Sequence, residues 1–298
     1  MESSLAADGA AGPLSPAMPP RDSSWNTGRE RRQPCPRGQG CRRSRFLAAL
    51  PLVFVVLLSP GLRETAAADS LPSAAPLKVL FITGGGYHDY QKLAPHLTSN
   101  LSQRVHATFD LRFGLETLRD PKFAEGYDAI VYDFCIDDGE PASIENALNA
   151  TRQGKPTVMI HCALHSFKTA DEWRNCCGMV SRVHDPFQAF GTRKLDQRHP
   201  ILQGFPDDWK TTGDELYQTV QMSGQSIALL QVTSPHSGKD HIVCWVSTYG
   251  KGRVFGTTLG HDMKTAAQPA YLHLLANGLL WACGRLDSRG AAGGAAKP

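Results

Sequence analysis

The glycine-rich stretch GGGYHDY (Gly84–Tyr90) lacks the G-x-G-x-x-G spacing of a dinucleotide fold and the G-K-[S/T] ending of a phosphate loop. A nucleotide site is therefore not indicated. The glycines read instead as positions where the backbone turns tightly or approaches a ligand. Basic clusters interleaved with aromatics are absent, which argues against nucleic acid as a partner. There is no internal repeat, so a solenoid or propeller is excluded. Adjacent Cys176-Cys177 match no zinc spacing, and the other cysteines are irregularly placed. A strongly charged mature chain is missing too. The full sequence holds 31 basic and 28 acidic residues, but residues 69–298 hold 22 and 23, a net of −1. The basic balance belongs to the N-terminal segment and is no argument for an anionic partner.

That segment, residues 1–68, reads as a leader. Residues 1–45 are rich in Pro, Gly, Ser and Arg, with eight arginines against four acids. The uncharged run FLAALPLVFVVLLSPGL (46–62) follows, and Ala66-Ala67-Ala68 fits a small-residue cleavage site. A basic region, an apolar run and such an end make a secretory signal. The expectation is an exported protein, periplasmic or extracellular, that begins at Asp69 and touches the membrane only in transit. If the run is not cleaved it becomes an anchor, although it is short for a span and contains Pro51 and Pro60. The segment RRSRFL (42–47) is one residue away from a twin-arginine pattern. Cys35 and Cys41 go with the leader. Six cysteines remain, some of which an oxidising compartment would pair.

The rest alternates. LKVLFIT, VHATFDLRF, YDAIVYDF and KPTVMIH read as strands; YQKLAPHLTSNLSQ and EPASIENALNATRQG, at helical spacing, as helices between them. Such alternation predicts a three-layer α/β sandwich around a doubly wound, mainly parallel sheet. Residues 168–213 read as loop-rich. DELYQTVQM, SIALLQVT, HIVCWVST and RVFGTTLG follow as strands, and VTSPHSGKDHIV as a hairpin-like connection. TAAQPAYLHLLANGLLWACG reads as one closing helix, and residues 285–298 as a disordered tail.

In such a sheet ligands sit beyond the carboxyl ends of the strands. Tyr87, His88 and Asp89 follow the first strand, Asp133 the third, His161 and His165 the fourth, and His261-Asp262 the last. A lone histidine is usually structural, but four at one edge point to a site. In KPTVMIHCALHSF (155–167) a strand ends on His161 and Cys162, the setting of a nucleophile elbow. The glycines that relieve crowding at such a turn are replaced by Met159 and Ala163, so Cys162 reads as a small packing residue whose loss costs about 1 kcal/mol. Trp245 and Trp281 read as core, Trp173 and Trp209 as loop residues able to stack on a ligand ring. Glu215 and Tyr217 share one face of an extended segment; Glu215 either serves the site or pairs with a base such as Arg253. Asp262 either orients His261 or caps the closing helix.

Five strings occur in order: LFITGGGYHDY, RHPILQGFPDDW, GDELYQTV, CWVSTYGKGRVFGTTLGHD and YLHLLANGLLWA. Together they resemble the trehalose-utilisation (ThuA-like) family over residues 77–284. The resemblance implies a flavodoxin-like architecture of the kind shared with class I glutamine amidotransferases, and a link to trehalose or a related disaccharide or keto-sugar. In the amidotransferase elbow G-x-C-x-G the nucleophile position, counted from Pro156, falls on His161 rather than Cys162. The resemblance thus implies a reused elbow with His161 facing the pocket. His161, His261, Glu215 and His88 become the candidate catalytic residues. Tyr87, Asp89, His165, Asp262 and Tyr217 become the candidate substrate-binding residues. Three readings stay open: acid/base chemistry on a sugar, a divalent metal such as zinc on the histidines, and a non-catalytic carbohydrate-binding module. A Cys162-dependent hydrolase is a further alternative. Nothing in the sequence fixes an oligomeric state.

Overall fold

Three largely apolar runs form buried parallel strands, β1 (Leu77–Gly85), β3 (Ala129–Cys135) and β4 (Thr157–Ile160), and the mixed run β2 (Ala107–Phe113) pairs in parallel at the sheet edge, mostly unburied. A strand's side chains alternate between faces, so a sheet covered on both sides needs apolar residues at every position. In β1, Val79 and Phe81 pack on one side while Leu80 and Ile82 pack on the other. Between these strands run α1 (Tyr90–Arg104) and α2 (Pro141–Arg152). Leu93, Leu97 and Leu101 of α1 join the first core; Ile144, Ala147 and Leu148 of α2 join the second. These observations come from a computed structural model of the chain, which describes residues 75–286. The expected leader lies outside the described residues, as do residues 287–298 of the expected tail.

The second half supplies β5 (Met179–His184), β6 (Gln188–Gly191), β7 (Arg193–Lys194), β8 (Lys210–Asp214), β9 (Tyr217–Met222), β10 (Ile227–Thr233), β11 (Asp240–Tyr249) and β12 (Gly252–Thr257). The central sheet has eight strands in the order β2-β1-β3-β4-β12-β11-β10-β7. β2, β1, β3, β4 and β12 pair in parallel, and the remaining neighbours antiparallel. The flavodoxin-like α/β reading holds, with an antiparallel extension on one side. β5 pairs with β9 and β6 with β8 in two small sheets apart from it.

Two expectations are corrected. Residues 168–213 are not mainly loop: they hold α3 (Asp171–Cys177) and β5–β7, with the start of β8. The one closing helix is two, α4 (Met263–Ala266) and α5 (Pro269–Ala282). Pro269 lacks an N–H and disfavours helical geometry in the residue before it, so the chain breaks at Gln268 and restarts with proline in the first turn. Among the described residues, no helix is long and apolar enough to cross a membrane.

Candidate active site

The carboxyl ends of β1, β4 and β12 lie near one another because β1 pairs with β3, β3 with β4, and β4 with β12. β1 ends at Gly85, whose φ of 111° an L-side chain would resist; a Cβ there would also overlap the Cys135 carbonyl oxygen. The chain then delivers Tyr87 and His88. β4 ends in a 3-10 turn, His161–His165, that His161 enters with φ 48°. A non-glycine residue held in left-handed geometry at a strand-to-turn junction is what an elbow requires. Past β12, Gly260 turns with φ 115°, where a Cβ would strike the Tyr271 hydroxyl, and His261 emerges.

A cavity of about 610 Å³ opens here, and its lining includes His88, His165, His184, Glu215, Tyr217 and His261. The His88 and His161 ring centres are 4.8 Å apart, His88 and His261 4.7 Å, and His161 and His261 5.5 Å. Glu215 sits among imidazoles: its carboxylate is 3.5 Å from His161 Nε2, 3.2 Å from His261 Nδ1 and 3.6 Å from His184 Nε2. Burial pushes the Glu215 carboxyl up, but its contacts with His161 and His261 outweigh this and hold it well below the usual carboxylate range. The Glu215 contact raises His261 against the opposing effect of burial. Burial, helped by the neighbouring histidines, brings His88 and His165 down to about 3, so both are neutral near pH 7. Burial pushes Asp133 up to about 7, with His161 opposing.

The supports are specific. His161 Nδ1 lies 2.6 Å from the Thr258 carbonyl oxygen. That oxygen can only accept, so Nδ1 carries a proton. His165 stacks on Tyr217 with ring centres 3.8 Å apart and bonds Ser181 through Nε2 at 2.9 Å. Asp214 is fully buried and accepts from the backbone N–H groups of Gly260 (2.9 Å) and His261 (3.2 Å), which fixes the turn that presents His261.

Several sequence expectations change. Glu215 pairs with histidines, whereas Arg253 lies over the Trp281 ring at 3.8 Å. The carboxylate beside His261 is Glu215; Asp262 accepts from Lys264 N and caps α4. Asp89 is exposed and pairs with Lys92 at 2.8 Å, away from the cavity lining. Tyr87 is 61% exposed at the rim, with its hydroxyl 3.0 Å from Asp137. Trp173 and Trp209 are buried and offer no stacking surface, while Trp281 is only partly buried. His184 was not foreseen, because it lies in the stretch read as loop; its signal was a histidine closing the short run MVSRVH.

Cys162 is corrected as well. It lines the cavity rather than merely packing, and it forms a disulfide with Cys135 across a sequence separation of 27; His161 lies just behind. Closing a loop of that size stabilises by about 2–4 kcal/mol. Thiol reduction, or Cys162→Ala, should therefore lower stability by about that amount, more than the 1 kcal/mol of a packing residue. Urea unfolding with and without reductant reads it, and coincident curves would contradict the pairing.

The trehalose-utilisation (ThuA) family model matches residues 78–282. The chain belongs to the ThuA family. Among solved structures, a ThuA-like protein of Parabacteroides merdae is similar with TM-score 0.63 and 22% identity, covering 71% of this chain and 91% of that one. A ThuA-like protein of Bacteroides uniformis gives 0.60 and 16%, covering 72% and 94%. A β-galactosidase of Bacillus circulans sp. alkalophilus gives 0.51 and 14%, covering 70% of this chain and 31% of that one. At these identities the structures show the ThuA fold alone. No curated protein matches the chain.

Proposed function

We propose that this ThuA protein is a sugar-processing enzyme acting outside the cytoplasm, and that Glu215 moves the proton in its reaction. Family membership supports a role in trehalose utilisation at family level. The observation that carries the finer reading is Glu215 itself, a carboxylate facing a cavity of about 610 Å³ with three imidazoles within 3.6 Å. A cavity of that size suits a disaccharide or keto-sugar. A general acid/base must reach the proton it moves, and Glu215 is the carboxylate placed to do so. Tyr217 and His165, stacked on each other, form one wall. A thiolate mechanism is disfavoured, because Cys162 is bonded to Cys135.

The test is a panel of trehalose, related disaccharides and their keto derivatives, incubated with the full-length chain and followed by NMR for new sugar species. Conversion of one member supports the reading. Saturable binding without conversion would establish the carbohydrate-binding module instead. Neither binding nor conversion across the panel would remove sugars as the substrate class.

A further inference from the structure

Three imidazoles and one carboxylate crowd together in this pocket. One ring nitrogen from each of His88, His161 and His261 lies within 4.8 Å of the other two. His88 Nδ1 and His261 Nδ1 are buried and have no hydrogen-bond partner. The approach of His261 Nδ1 to Glu215 Oε2, at 3.2 Å, is close but out of hydrogen-bond alignment. His161 is 2% exposed, and its Nδ1 proton is committed to the Thr258 carbonyl. Its Nε2 lies 3.5 Å from a Glu215 carboxylate oxygen and 3.4 Å from the Tyr217 hydroxyl. Two buried ring nitrogens left without a partner carry a cost. A cation between them answers all three nitrogens and the carboxylate at once.

We propose that His88, His161 and His261 bind one divalent transition-metal ion of the zinc class, with Glu215 beside the open coordination position. Tetrahedral zinc with nitrogen at 2.0–2.1 Å requires ligand atoms about 3.3 Å apart, so each ring needs to shift by less than about 1 Å. Neutral imidazoles with a carboxylate suit zinc or its first-row neighbours rather than calcium or magnesium. The backbone carbonyl held by His161 Nδ1 is the outer contact that orients a metal-bound histidine. Three protein ligands leave a fourth position for a water or sugar hydroxyl. Bound there, it loses a proton to the Glu215 carboxylate, leaving metal-bound hydroxide or alkoxide and a protonated Glu215. The adjacent Cys135 and Cys162 supply no thiolate while bonded to each other.

This deepens the sugar reading, yet its test needs no sugar. The full-length chain, stripped with chelator and dialysed, is titrated with Zn²⁺ against a chromophoric competitor, and separately with Co²⁺. The expected result is one ion per chain with micromolar or tighter affinity, and a tetrahedral Co²⁺ spectrum free of the thiolate charge-transfer band. His88→Ala and His161→Ala should each weaken binding at least 100-fold, while exposed His236→Ala leaves it unchanged. Because His161→Ala removes a buried side chain, each variant is also melted with and without Zn²⁺. Wild type and His236→Ala should rise on adding metal, and the two site variants should not. No stoichiometric binding, a thiolate band, or affinity indifferent to both site variants would overturn the proposal. Sugar conversion by metal-free protein would overturn the metal site and keep the sugar reading. Stoichiometric metal with no conversion across the panel would do the reverse.

Discussion

Glu215→Gln is expected to lower turnover of the converted sugar by about 10²–10⁴-fold, the usual range for removing a general acid/base, with a melting temperature within a few degrees of wild type. The amide keeps the size of the carboxylate but cannot take up a proton. Stability should change little because glutamine fills the same space and Glu215 belongs to neither of the two large apolar cores. Comparison of kcat and KM on one preparation separates roles. A fall in kcat at nearly constant KM marks proton transfer, whereas a rise in KM alone marks binding. Turnover within a few-fold of wild type would remove Glu215 from the reaction.

Trp173→Ala should be the most destabilising of the substitutions considered, by about 3–5 kcal/mol out of a total that for a domain is typically about 5–15 kcal/mol. The indole is fully buried, with ring centres 5.3 Å from Tyr132, 4.9 Å from Phe167 and 6.0 Å from Phe134. Its Nε1–H donates to the Ala163 carbonyl at 2.8 Å, inside the 3-10 turn that holds His161 and His165. The loss therefore combines a cavity with a freed carbonyl at the base of the site. Trp173→Phe keeps most of the packing and should cost clearly less. Urea unfolding of both variants reads the difference; equal and small losses would show that the turn stands without the indole.

The parallel half of the sheet was legible because its central strands β1, β3 and β4 are largely apolar and alternate with helical segments, and the edge histidines followed from that topology. What was hidden were contacts set by the small β5–β9 and β6–β8 sheets, whose strands are short, mixed in polarity and weak in period. His184 and the burial of Trp173 both come from that region, so the loop reading concealed them together. Glu215 was visible as a candidate, but its partners were not. It lies between β8 and β9, and neither strand belongs to the central sheet from which the histidines project. Asp262 shows the converse. Adjacency to His261 in sequence suggested an orienting carboxylate, but the local backbone takes that side chain for a cap. The Cys135–Cys162 pair joins the ends of β3 and β4, neighbours in space that irregular cysteine spacing could not reveal.

The pairing of β4 with β12 places Thr157 beside Val254, and its consequence concerns the order in which the molecule comes into being. Closing so long a loop is slow relative to forming the local β1-α1-β2 and β3-α2-β4 units. A chain emerging from its N-terminal end can therefore assemble four strands while one side of β4 still presents unpaired N–H and C=O groups. Such an edge invites pairing with another copy. The late strand seals that edge and, in the same movement, carries His261 to the histidines already waiting. A nascent or truncated chain that ends before residue 252 would be both inert and prone to self-association, so loss of activity and loss of solubility share one cause.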